Sequence, residues 1–255
     1  MSLDRTKRRH LCPSHREMGA SDQNKSPAQE IDLTVAYWKY QMSDLASALV
    51  IPDSALAKEA TQILREYSTD LLINHSMRVY LFGAEQGREQ KLRFDPELLY
   101  VAAAFHDLGL LKKFSSENER FEVDGANAAR QFLTAHNVPE EQVRMAWGAI
   151  ALHTTPGIPQ HMQPEVALLN SGVLLDVLGK GLDQFPSALR EEIVAKYPRK
   201  NFKKDFLQAY FAGFAHKPGT TYGTVNQSIC ERFIPGYKSP NAADLMTASP
   251  FPDSE

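Results

Sequence analysis

Cysteine is scarce in this 255-residue sequence, and its scarcity excludes a small secreted domain held together by disulfides. The two cysteines, Cys12 and Cys230, stand near opposite ends of the chain and form no CxxC pair. Such a pair cannot supply the framework of several disulfides that small secreted domains use. We therefore expect a cytoplasmic protein, and the basic stretch KRRH at residues 7–10 leaves nuclear import as the alternative.

The sequence also lacks a strong net charge and any long apolar run. The formal net charge is −3 at pH 7 and the pI is near 6.3, which gives no basic surface for a nucleic acid or an anionic membrane. No apolar run approaches the roughly 18 residues of a membrane span, and the N-terminus has no apolar core of a secretory signal. The expected partner is therefore a small-molecule substrate, with neither nucleic acid nor membrane.

The chain divides into three parts by composition. Residues 1–30 are polar and show no hydrophobic period, which predicts a disordered leader. Residues 239–255 predict a flexible C-terminal tail. The intervening residues 31–238 contain no repeat and no low-complexity linker, so we predict one domain there.

Within that domain the apolar residues recur at spacings of three and four, which is typical of amphipathic helices. Helix starts are marked by Asp53 or Ser54 and, more strongly, by Asp95 followed by Pro96 at the first helical position. We find no convincing alternating strand. The predicted fold class is all-α, a single helical bundle.

One histidine stands on an apolar helical face. In LLINHSMRVYLFG, His75 shares a face with Leu71, Leu72, Val79 and Phe82, so its side chain is predicted to point into the core. A core histidine bonded to a backbone carbonyl would explain it if it stood alone.

Three further polar residues lie in apolar helical segments. His106 and Asp107 are adjacent in YVAAAFHDLGL, and Asp176 stands in LLDVLG, where an exposed position near the helix end is the alternative. A buried carboxylate without a partner costs several kcal/mol, and one divalent cation would satisfy these three together with His75. Imidazole and carboxylate ligands suit zinc, iron or manganese, and the absence of thiolates argues against a closed structural zinc site.

The order His75, His106-Asp107, Asp176 resembles the HD domain, an all-helical family of metal-dependent hydrolases. The flanking segments NHSMRVYLFG, AFHDLGL, RFEVDGA, ALHTTPGI, LLDVLG and KPGTTYGT look like the cyanamide hydratase-like branch, over roughly residues 55–237. The resemblance implies a metal site in the core of the bundle, ligation by these four residues, and a homo-oligomer as a possible assembly.

One position departs from many HD phosphohydrolases. These carry a histidine four residues before the glycine of a Gly-Ala step, where it can hold a second metal. Here that position is Phe121, ahead of Gly125 and Ala126, and phenylalanine cannot ligate a metal. We therefore expect a single divalent ion, with zinc preferred and iron or manganese as alternatives.

The segments that flank the ligands supply candidate catalytic and substrate-binding residues. Glu122 is a candidate for proton transfer, and N-terminal capping of a helix is its alternative interpretation. His153, at a helix end before a Pro/Gly-rich loop, is a candidate for polarising the substrate, or else a favourable cation at a helix C-terminus. The expected substrate-binding residues are Asn74, Thr154 and Thr155.

The leading hypothesis is a metal-dependent hydratase that converts cyanamide to urea, with Asp107, Glu122 and His153 in the catalytic roles. The nitrile substrate follows only from the resemblance, and an isonitrile or another small C–N compound is an alternative. An HD-type phosphohydrolase is the second hypothesis, which would need basic side chains near the metal; Arg78, Lys112 and Lys113 are the candidates. A helical binding module with a structural metal or none is the third.

Overall fold

The computed structural model describes residues 50–251, which form ten α-helices and no strand. This confirms the all-α prediction. The predicted leader, residues 1–30, lies outside the described residues. The helices are α1 (Ala55–Tyr67), α2 (Asp70–Glu89), α3 (Pro96–Phe105), α4 (Phe121–Ala135), α5 (Glu140–Leu152), α6 (Pro164–Leu178), α7 (Ser187–Lys196), α8 (Phe202–Phe214), α9 (Val225–Phe233) and α10 (Ala242–Thr247).

Two predicted helix starts are present, with the expected chemistry. Ser54, rather than Asp53, caps α1, because its hydroxyl accepts the backbone N–H of Ala57 at 3.0 Å. Asp95 caps α3 and Pro96 follows it at the first helical position. These caps satisfy backbone N–H groups that have no partner within the helix.

Helices α2 and α6 lie in close contact, and two glycines make their approach possible. A Cβ on Gly172 would lie 2.3 Å from the carbonyl oxygen of Val79, and one on Gly83 would lie 2.6 Å from that of Leu168. Both distances are shorter than any van der Waals contact, and both involve backbone. The approach matters because α2 carries His75.

We expect Gly172→Ala to lower the free energy of unfolding by about 1–3 kcal/mol, since the added methyl must push two backbones apart. Gly148→Ala is the matched control, because a Cβ there meets nothing within 4 Å and alanine favours a helix by up to ~1 kcal/mol. Urea denaturation of the two variants measures the difference. Equal stabilities would contradict the close approach of α2 and α6.

The core is divided into two apolar clusters. The larger lies among α1 to α7, and the smaller joins aromatic residues of α8 to the short 3-10 turn Leu108–Leu110 and to α4. In the smaller cluster Phe202 and Phe206 stack with ring centroids 4.7 Å apart, and the Phe206 ring lies 4.7 Å from that of His75. Helix α8 therefore forms one wall around the histidine.

The predicted flexible tail is partly described. Residues 242–247 form the short helix α10, in which every residue is exposed, and flexibility there stays a prediction. No helix within residues 50–251 is both long enough and apolar enough to cross a membrane.

Candidate metal centre

Helix α2 presents His75 with a fixed ring orientation. The residue is 1% exposed, and its Nδ1 lies 2.6 Å from Oδ2 of Asp176. A carboxylate can only accept, so Nδ1 donates, and in the neutral ring Nε2 carries a lone pair. That lone pair is directed to the other side of the ring, away from Asp176.

His106 follows the last turn of α3 and is oriented in the same way. Its Nδ1 donates to the carbonyl oxygen of Ala103 at 2.8 Å, and its Nε2 lies 3.2 Å from Nε2 of His75. Two bare nitrogen acceptors at that separation repel each other, so a positive charge is needed between them. A proton on one ring or a metal ion would provide it.

Asp107 adds a third acceptor to the same point. Its Oδ2 lies 3.3 Å from Nε2 of His106 and 3.5 Å from Nε2 of His75. This oxygen is buried and has no hydrogen-bond partner. Burial alone would raise the pKa of Asp107, but His106 and the other nearby histidines hold it well below its usual range, so the group is ionised.

The chemistry of these donor atoms fits a divalent cation. Ligand atoms of His75, His106 and Asp107 all lie within 4.8 Å of one another, and all three residues are buried. A proton on His106, whose pKa Asp107 raises against the effect of burial, would satisfy one pair of atoms. A metal ion would satisfy all three, and two imidazoles with one carboxylate leave positions open, as catalytic zinc and iron sites do.

Asp176, the fourth predicted ligand, is hydrogen-bonded to the far side of the His75 ring and to two arginines. Its carboxylate accepts from His75 Nδ1, from Arg78 Nε and Nη2 at 2.8 Å each, and from Arg199. It does not belong to the group of three. A carboxylate in this position holds a metal-binding histidine in one tautomer and orientation. Direct ligation by Asp176 stays a prediction.

His75, His106 and Asp107 are called the cluster from here on, and His153 borders it from the end of α5. Its Nδ1 donates to the carbonyl oxygen of Ile150 at 2.6 Å, and its Nε2 lies 3.7 Å from Oδ1 of Asp107. Burial, followed by the charge of His106, lowers the pKa of His153 to about 3. The ring is therefore neutral at pH 7, and its free Nε2 can accept a hydrogen bond but has no proton to donate.

Glu122 is a buried carboxyl in the first turn of α4. Its Oε1 accepts from the Thr154 hydroxyl at 2.5 Å and from the Asn226 amide at 2.9 Å, while its buried Oε2 has no partner. Burial raises the pKa of Glu122 above its ordinary value. The hydrogen bonds of Glu122 are thus to side chains of other segments of the chain. Because its pKa is raised, Glu122 is suited to donate a proton.

A cavity of about 1150 Å³ opens onto the cluster. His75, His106, Asp107, His153 and Thr154 line it. Thr155 lines a second, smaller cavity of about 300 Å³, to which Thr154 also contributes. The other predicted residues, Asn74, Glu122 and Asp176, line neither cavity, and substrate binding by Asn74 stays a prediction.

The sequence did not indicate several residues that support the site. Asn226 bonds Glu122 and accepts from the Tyr210 hydroxyl at 2.6 Å. Asn170 donates to the carbonyl oxygen of His153 at 2.7 Å. Arg199 reaches Asp176 from the segment before α8. Nothing local marks these residues, since their partners lie 16 to 104 positions away.

Asp124, beside the proposed acid, belongs to a buried ion pair. Its Oδ2 lies 2.5 Å from Nζ of Lys217 and accepts the backbone N–H of Ser116 at 3.0 Å. Lys217 also donates to the carbonyl oxygen of Ser116 at 3.0 Å. The pair thus fastens the loop before α4 to the segment after α8.

We expect Lys217→Met to lower the free energy of unfolding by about 3–5 kcal/mol, because Asp124 would remain buried without its cation. The double variant Lys217→Met, Asp124→Leu removes both charges and should recover most of that loss. Chemical denaturation of both proteins tests this. A single variant as stable as the wild type would contradict the buried pairing.

Comparison with protein families identifies the arrangement. The HD domain family matches residues 72–196, a stretch that begins in α2, ends in α7 and contains His75, the His106-Asp107 pair and Asp176. The match supports the predicted HD superfamily, whose members are generally metal-dependent hydrolases and phosphohydrolases. A comparison with curated proteins found no match.

Proposed function

We propose that this protein is a metal-dependent hydratase that adds water to a carbon–nitrogen triple bond, with the conversion of cyanamide to urea as the first reaction to test. The observation that carries the proposal is that three buried acceptors, from His75, His106 and Asp107, lie together in the lining of a cavity. A cation at that point, with zinc preferred and iron or manganese as alternatives, would lower the pKa of a bound water from about 15.7 to about 7.

The surrounding residues would orient the water and supply the proton. His153 is neutral, and its Nε2 together with Oδ1 of Asp107, 3.7 Å away, forms a pair of hydrogen-bond acceptors that can orient the attacking water. Glu122 is the candidate acid, and its bond to the cavity-lining Thr154 connects it to the substrate side. Addition of water to the triple bond needs one proton on nitrogen, and no oxidant or reductant takes part.

Hydration is favoured over phosphate chemistry because the cationic side chains are either paired with carboxylates or exposed. Apart from histidine, the buried cationic side chains among residues 50–251 are Arg78 and Lys217, and each is bonded to a carboxylate, Asp176 and Asp124 respectively. The other predicted phosphate contacts, Lys112 and Lys113, are exposed and do not line the cavity. Two further lysines that line the cavity, Lys180 and Lys203, are exposed as well. Among the described residues, the cluster therefore has no buried, unpaired cationic side chain other than histidine with which to hold a phosphoryl group.

The test is urea release from cyanamide by the purified chain loaded in turn with zinc, iron and manganese. Metal-dependent urea formation supports the proposal. Phosphate release from nucleotides or p-nitrophenyl phosphate, with none of the hydration, would replace it with the phosphohydrolase hypothesis. A chain that retains no metal after dialysis and turns over neither class would leave only the binding module.

A further inference from the structure

The cavity is far larger than cyanamide needs. Cyanamide has three non-hydrogen atoms, comparable to two or three waters at ~30 Å³ each, whereas the cavity measures about 1150 Å³. Pockets that enclose drug-sized molecules span roughly 300–1,000 Å³. Most of the space would remain unfilled around a substrate of cyanamide's size.

The cavity lining combines the proposed metal ligands with a larger set of apolar side chains. The ligands His75, His106 and Asp107 line it together with His153 and Thr154. The apolar wall is built by α6, α8 and α9 from Val173, Leu174, Val177, Leu178, Phe202, Phe206, Leu207, Tyr210, Val225 and Ile229. A ligand that matches both parts has a compact polar head and a hydrocarbon body.

Some of the polar side chains in the lining are already hydrogen-bonded within the protein, as Asn170 is to the carbonyl oxygen of His153. The Ser171 hydroxyl donates to Gln86 Oε1 at 2.5 Å and so satisfies that group within the protein. Apart from Asp107 and the histidines, the charged residues that line the cavity are Glu89, Lys180 and Lys203, which are all exposed and of mixed sign. The wall therefore selects neither an anion nor a cation.

Three apolar side chains that line the cavity are also exposed to solvent. Leu178 is 72% exposed, Val225 41% and Leu207 37%. Covering grouped apolar side chains with a hydrocarbon removes them from water, which is favourable at roughly 25 cal/mol per Å². Their grouping at one cavity predicts a ligand whose apolar part extends to them.

We propose that the substrate is a hydrocarbon-bearing molecule with a terminal carbon–nitrogen triple bond, rather than bare cyanamide. This inference rests on the proposed hydration. The shared reaction is net addition of one water: an N-alkylcyanamide gives an N-alkylurea, a nitrile gives an amide, and an isonitrile gives an N-formylamine. The triple-bond end lies at the metal cluster and the hydrocarbon lies along α6 and α8.

The experiment keeps the reacting group constant and lengthens the tail. N-ethyl-, N-butyl-, N-hexyl- and N-phenylcyanamide are compared with cyanamide for kcat/KM, with nitriles and isonitriles of equal chain length as separate arms. Each buried methylene should raise kcat/KM about fourfold, which corresponds to ~0.8 kcal/mol. Turnover of cyanamide with a flat or falling series would overturn the inference while leaving hydration in place.

A variant of an exposed cavity-lining residue tests where the hydrocarbon tail of the substrate lies. Leu178→Asp should lower the ratio of kcat/KM for N-hexylcyanamide to that for cyanamide by about tenfold, because a charge replaces an apolar contact. Leu245→Asp is the matched control: this residue is 54% exposed on α10 and lies outside the cavity, so the ratio should not change. An unchanged ratio in Leu178→Asp contradicts the proposed placement.

A binding measurement distinguishes a failure of this inference from a failure of the proposed hydration. If no triple-bond compound is turned over, calorimetric titration of the metal-loaded chain with urea and with N-butyl-, N-hexyl- and N-octylurea still measures recognition of the tail. Affinity that rises with chain length would support a ligand with a hydrocarbon tail and contradict only the hydration reaction. Equal affinities, or no binding, would contradict both the tail and the hydration reaction.

Discussion

Asp107→Asn is expected to eliminate both metal binding and hydration while leaving the fold intact. The amide retains the shape of the carboxylate, but it replaces the buried, unpartnered Oδ2 with an NH₂ group or a neutral oxygen. An NH₂ group would donate to the bare nitrogens of His75 and His106, 3.5 Å and 3.3 Å from Oδ2, and so satisfy without a metal the acceptors that otherwise need one.

The measurement is thermal unfolding with and without added metal, alongside metal analysis. Metal at a hundred times its dissociation constant stabilises a binding-competent fold by about 2.7 kcal/mol, so the Tm of the wild type should rise and that of Asp107→Asn should not. The control Asp183→Asn changes an exposed aspartate outside the cluster and should behave as wild type. A metal-dependent Tm in Asp107→Asn would show that the metal binds elsewhere.

Glu122→Gln is expected to lower kcat by about 10²- to 10⁴-fold, the usual range for loss of a general acid. The side-chain carbonyl of glutamine can still accept from Thr154 and Asn226, which bond Oε1 in the wild type. The remaining NH₂ takes the position of the unpartnered Oε2. The change therefore removes the transferable proton without removing the contacts. The control Glu119→Gln alters an exposed acid three residues earlier.

The same variant predicts a change in how stability depends on pH. Burial raises the pKa of Glu122 in the folded state, so folding favours the protonated form. The resulting destabilisation is absent below the pKa of the unfolded chain and grows as the pH rises toward the folded-state pKa. Glu122→Gln should remove it and be the more stable protein at pH 8. Equal pH profiles, with kcat unchanged, would reduce Glu122 to a structural residue.

Much of the fold and part of the site could be predicted from local signals. The three- and four-residue apolar spacing indicated the helices, and Asp95 with Pro96 indicated where α3 begins. The histidines and aspartates were recognisable because ionisable side chains on apolar faces require partners. Burying an ionisable side chain is costly in any packing of the helices, and so His75, His106 and Asp107 could be recognised from the sequence as a group that needs a partner.

The partners themselves could not be predicted. Sequence reasoning treated Asp176 as equivalent to the other ligands, whereas its carboxylate is bonded to His75 Nδ1, Arg78 and Arg199. The sequence suggested His153 as a polarising group, which stays a prediction; that burial lowers its pKa and leaves the ring neutral, with its Nε2 free to accept a hydrogen bond, became visible only in the structure. Both roles depend on atoms brought together from distant parts of the chain.

By itself, the sequence determined the helical class, the elements and the residue types that demand a cation, because hydrophobic periodicity and the cost of a buried charge act locally. Only the tertiary structure decided which acceptors meet, which cations are already paired and how wide the cavity is. Those properties depend on the distances between helices, such as the close approach of α2 and α6 at Gly172, and such distances follow from packing between segments far apart along the chain.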